Sequence, residues 1–96
     1  MATYPLGKSE EASFHYIRLW TKEKPHRHET HKLIVFMLSG QAEIHFGDKT
    51  YPIEKGDMME IPKGAVHWAE NKGSGPAEVY AIFMPPYDGK DFKPVS

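Results

Sequence analysis

The sequence predicts an all-β domain built as a sandwich or barrel, and three observations carry that expectation. Short runs rich in β-branched and aromatic residues recur about every 8–12 residues, with turn signals between them. Eight glycines and eight prolines are spread along the 96 residues, a composition that favours many tight turns over long helices. No segment shows an apolar stripe of helical period closed by caps, and there is no internal repeat.

Taken in order, residues 14–21 are β-branched and aromatic with imperfect alternation and make the first strand. Lys22, Glu23, Lys24 and Pro25 interrupt it. Residues 33–38 form a continuous apolar run, short enough to be a strand buried on both faces. After a turn at Ser39 and Gly40, residues 41–46 alternate cleanly. Ala42, Ile44 and Phe46 share one face, and Gln41, Glu43 and His45 the other. A turn at Gly47 and Asp48 leads to residues 50–53, where Pro52 marks a sheet edge or a bulge. Residues 58–61, 66–69 and 77–84 complete the strands, and Pro85 and Pro86 end the last. The tail, residues 87–96, reads as a loop packed on the outside.

Twelve basic and thirteen acidic side chains give a formal charge of −1, which supports neither a nucleic-acid partner nor an anionic membrane surface. No apolar run approaches the roughly 18 residues that span a bilayer. The first eight residues lack the apolar core of a signal peptide, so a cytoplasmic protein is expected. Without cysteine there are no disulfides, thiolate metal sites or cysteine nucleophiles. A domain this small is marginally stable alone, so a metal, an oligomer interface or an unusually good core must support it. Six histidines direct attention to the first of these.

His26-x-His28 lies where a turn meets a strand. Residues two apart on a strand project from one face, roughly 7 Å apart, and two such imidazoles can converge on an ion at about 2.1 Å. On its own this pair is weak evidence. The spacing Gly56-x5-Pro62-x-Gly64-x2-His67-x3-Asn71 is far more specific. It fits every position of the second motif of the cupin superfamily, and His26-x-His28 followed by Gly40 resembles part of the first.

The resemblance implies a jelly-roll barrel, the double-stranded β-helix, as one domain over residues 1–96. It implies a divalent transition metal (iron, manganese, nickel or zinc) near one mouth, with His26, His28 and His67 in the ligand positions. Similar small cupins include isomerases, epimerases, dioxygenases and sugar-binding domains, and many pair as homodimers. Two positions depart from the pattern. Trp20 stands where the first motif has a glycine, and Leu33 stands where it has a glutamate ligand. The site therefore becomes a three-histidine one. Three neutral imidazoles leave the ion's charge uncompensated and favour an anionic ligand. Leu33, Val35 and Met37 alternate onto the face the lost carboxylate would use, and form an apolar wall to a substrate pocket.

His31, two residues before Leu33, either replaces the missing ligand or is an exposed turn histidine beside Glu29 and Lys32; the second is preferred. Glu60 is the nearest carboxylate in sequence for a general base, without a strong case. His45 and Trp68 are expected on outer faces, His15 at a surface or interface, Met58 and Met59 in the core, and Tyr80 with its hydroxyl at the rim. Three functions compete: a metal-dependent dioxygenase on a small, oxygen-bearing, partly hydrophobic substrate; a sugar isomerase or epimerase; and a ligand-binding sensor without turnover. The first leads. A small-molecule ligand and a second copy of the chain are the expected partners.

Overall fold

The computed structural model describes residues 1–95 and contains ten strands and, among the described residues, no helix. In chain order they are β1 (Ala2–Lys8), β2 (Ser13–Leu19), β3 (His26–Arg27), β4 (Lys32–Ser39), β5 (Gln41–Phe46), β6 (Lys49–Glu54), β7 (Met58–Ile61), β8 (His67–Asn71), β9 (Ala77–Met84) and β10 (Lys93–Pro94). They form two antiparallel five-stranded sheets, ordered β1-β2-β9-β4-β7 and β10-β3-β8-β5-β6. The chain crosses repeatedly between the sheets, which is the winding of a double-stranded β-helix.

The period-2 pattern decides what fills the barrel. β4 contributes Leu33, Val35 and Met37, β9 contributes Ala77, Ala81 and Phe83, and β5 contributes Ala42 and Ile44. Burying a Leu, Ile, Val or Met side chain fully is worth roughly 1.5–3 kcal/mol, and that burial must hold a chain without disulfides. β4 is buried on one face only. Its outward residues Ile34, Phe36 and Leu38 keep partial exposure on the outer side of this sheet. Met59 packs against the core as expected, whereas Met58 points outward and is 68% exposed.

Three strands were not expected. β1 is an edge strand with a bulge between Pro5 and Gly7, and it carries no clean alternation. β3 and β10 are two-residue strands paired with each other, so the tail is not simply an outer loop. Ser96 lies outside the described residues.

The spaced glycines and asparagine have mechanical roles. Gly40 has φ +84°, and a Cβ there would sit 2.8 Å from the Pro76 carbonyl oxygen, so the β4–β5 turn needs glycine. Gly64, at φ +78°, donates its N–H to the His28 carbonyl oxygen at 2.8 Å and so ties the second motif to the first. The Asn71 amide donates to the Leu19 and Gly75 carbonyl oxygens at 3.0 and 2.8 Å, and pins the end of β2 to the β8–β9 loop.

Candidate metal centre

β3 and β8 pair so that His26 and His67 are direct cross-strand neighbours. His28 follows on the same face just past the end of β3. A ring nitrogen from each of the three lies within 4.8 Å of the other two, and all three residues are buried. The backbone sets their tautomers. His26 Nδ1 donates to the Lys24 carbonyl oxygen at 2.7 Å, His28 Nδ1 to that of Asp91 at 3.0 Å, and His67 Nδ1 to that of Ala65 at 3.0 Å. A carbonyl only accepts, so each Nδ1 carries the proton and each Nε2 presents a lone pair.

His67 Nε2 is buried with no hydrogen-bond partner. An unpaired buried acceptor costs about 1–3 kcal/mol, and here His26 and His28 each turn a ring nitrogen towards it. A cation would satisfy it, and the residues present fit a divalent metal held by three imidazoles. Burial lowers the His67 pKa to about 4, against the pull of the Ala65 carbonyl, and also lowers that of His28. Both rings are therefore neutral and ready to ligate near neutral pH.

The rings open onto a cavity of about 180 Å³ inside the barrel. Leu33 and Val35 line it. Met37, wholly buried, does not. Phe92 stacks on His26 with centroids 4.5 Å apart, and Tyr87 lies edge-on to His28 at 5.6 Å. The tail thus builds part of the cavity wall.

His31 is neither a ligand nor an exposed turn residue. It is 3% exposed, with Nδ1 at 2.7 Å from Asp91 Oδ2 and Nε2 at 3.0 Å from the Pro86 carbonyl oxygen. Both ring nitrogens are engaged by these partners, so neither is turned towards the three-histidine cluster for a metal. Asp91 also accepts from the N–H groups of Glu29 and Thr30 at 3.0 and 2.9 Å. Despite the opposing effect of burial, the hydrogen bonds from His31, Thr30 and Glu29 hold its carboxyl well below the ordinary aspartate value.

Glu60 is exposed and pairs with Lys32 at 2.7 Å, away from the interior. The carboxylate that lines the cavity is Glu23. Its N–H donates to the Ala69 carbonyl oxygen at 2.9 Å, and its Oε1 accepts from Ala69 N–H at 3.0 Å. Burial pushes this carboxyl above its ordinary value, against the hydrogen bond from the Ala69 N–H. Its sequence context of alternating charges before a proline gave no sign of this. His15 also lines the cavity, with Nε2 2.9 Å from Ser13 Oγ, and burial lowers its pKa. On the outer face of the second sheet, His45 stacks on Trp68 at 4.4 Å. It sits with Glu43 and Glu70, where Lys72 at 3.6 and 3.4 Å supplies the counter-charge. Tyr80 is 43% exposed on the outside of β9.

Barrel winding and an inward-facing trio of histidines define a β-helix protein with a candidate metal pocket. The chain belongs to the cupin family: the model of the cupin domain matches residues 16–83. It is similar to an uncharacterized protein of Aquifex aeolicus, 37% identical over 86 residues, which are 90% of this chain and 70% of that protein. Germin-like protein 1-1 of Oryza sativa subsp. japonica is 38% identical over 64 residues, 62% of this chain but 30% of the germin-like protein. A Klebsiella pneumoniae protein described as having a double-stranded beta-helix domain superposes with a TM-score of 0.83 at 20% identity. That superposition covers 99% of this chain and 84% of the other, and it shows the fold.

Proposed function

We propose that this cupin binds a divalent transition metal through His26, His28 and His67 and acts on a small oxygen-bearing molecule held in the barrel. The orphaned, buried Nε2 of His67 is the observation that carries the reading. A bound metal would supply Lewis acidity for a substrate oxygen or, as iron, dioxygen chemistry. The protein's own contributions are distinct. The three backbone carbonyls fix the imidazoles, the apolar wall excludes water, and Glu23 offers a carboxylate that can hold a proton. A three-histidine centre without a protein carboxylate ligand favours the dioxygenase type. Glu23 favours a second reading, proton transfer of the isomerase kind, because that chemistry needs a base in the cavity.

Metal content by plasma emission spectroscopy tests the centre. Wild-type protein is expected to hold one ion per chain. His67→Ala should weaken binding at least about a hundredfold, since losing even an outer partner of a ligand costs 10–100-fold. Stoichiometric metal in His67→Ala would remove the assignment. Substrate-dependent oxygen uptake by iron-loaded protein then separates the two readings from solvent-deuterium exchange into substrate.

A further inference from the structure

The cavity is almost entirely hydrocarbon. Ile17, Leu19, Ile44, Ile53 and Val79 face it together with Leu33, and beside the ligand histidines its residues with polar or charged groups are few: His15, Glu23, Thr3, Tyr87 and Met1. A sugar or polyol entering it would give up water for walls that offer its hydroxyls almost no partners. An apolar cavity of about 150 Å³ admits benzene, so about 180 Å³ suits a body of that size or slightly larger. Charge narrows the choice further. Three neutral imidazoles leave a divalent ion's charge unbalanced by its protein ligands, so an anionic group is favoured there. A monoanion can place its single charge at the ion, whereas the second charge of a phosphate ester or dicarboxylate would lie against hydrocarbon.

We propose that the ligand of this site is a small monocarboxylic acid with a compact hydrocarbon body of about six to eight carbons, its carboxylate at the histidine cluster and its body against the barrel wall. This rests on the three-histidine metal centre proposed above. It excludes sugars, sugar phosphates and dicarboxylates as the preferred class.

The experiment is calorimetric titration of zinc-loaded and zinc-free protein, after zinc stoichiometry has been measured. The probes are acetate, butanoate, hexanoate and benzoate, with hexanol, glucuronate and glucose 6-phosphate as controls. Each buried methylene strengthens binding about fourfold, so hexanoate and benzoate should bind zinc-loaded protein at least tenfold more tightly than acetate. They should also exceed hexanol and both sugar derivatives tenfold, and weaken tenfold without zinc. Val79→Phe, which fills the cavity, should keep its zinc and lose hexanoate. One zinc per chain with a flat acid series overturns this inference and leaves the metal reading standing. So does glucuronate or glucose 6-phosphate matching benzoate, or hexanol matching hexanoate. Absence of zinc binding overturns both.

Discussion

His67 makes the metal-free fold sensitive to acid in a definite direction. Its folded pKa, about 4, lies below the free value of 6.5, so between those values the unfolded chain binds the extra proton. Stability is fully present above pH 6.5 and falls as pH drops towards 4, by on the order of 3 kcal/mol. His28 adds in the same sense, whereas Glu23, held above its ordinary value, works in the opposite one. Urea midpoints of metal-free protein at pH 7 and 4.5 should therefore differ, and His67→Leu should flatten the difference. An unchanged slope in that variant would place the sensitivity elsewhere. Leu33 yields a second test at this scale. Because it lines the cavity with the ligand histidines, Leu33→Glu should raise Mn²⁺ affinity, carboxylate oxygen being the harder donor. Without metal the buried carboxylate should cost about 3 kcal/mol in stability. Destabilisation both with and without Mn²⁺, and no gain in affinity, would mean that Leu33 is ordinary core. The three ligand candidates were legible because their spacing is rigid. Glu23 and Asp91 were not, because a lone acidic residue in a charged stretch reads as solvated whichever way it turns.

At the scale of elements, regular alternation made β2, β4, β5 and β9 readable to within about two residues, the usual error at strand ends. β1, β3 and β10 escaped because edge and two-residue strands bury too little to impose a pattern. The tail matters most among these. Asp91 clasps the 29–31 turn through its side chain while its carbonyl oxygen orients His28. Asp91→Ala should leave two N–H groups and His31 Nδ1 without an acceptor and destabilise the protein by about 3 kcal/mol. It should also weaken metal binding about tenfold, measured by competition with a chromophoric chelator. Lost stability with undiminished affinity would show that the clasp does not reach the ligand.

For the molecule as a whole, periodicity alone gave an all-β barrel or sandwich, and the motif spacing added the winding. The outer face of the first sheet was not legible, since strand order decides which residues become neighbours. Register aligns Tyr4, Tyr16, Tyr80, Phe36 and Met58 in one row across all five strands. Tyr4, Tyr80 and Met58 are 51%, 43% and 68% exposed. Beside this row, Tyr16 donates its hydroxyl to Glu78, and Ser39 donates to the same carboxylate at 3.0 Å, giving the face a polar rim. Two copies related by a two-fold axis would cover each other's row, so light scattering should give about 22 kDa, twice the 11.0 kDa chain. Tyr80→Lys should return the mass to that of one chain. A wild-type mass of 11.0 kDa at micromolar concentration would refute the pairing.

The carbonyl that orients His28 belongs to a residue 63 positions further along the chain. During synthesis, His26, His28 and His67 all emerge before that carbonyl does. A nascent chain can therefore meet an ion with every imidazole present and still lack one of the three braces that select the tautomer. Full-strength capture at the proposed site would therefore wait for Asp91.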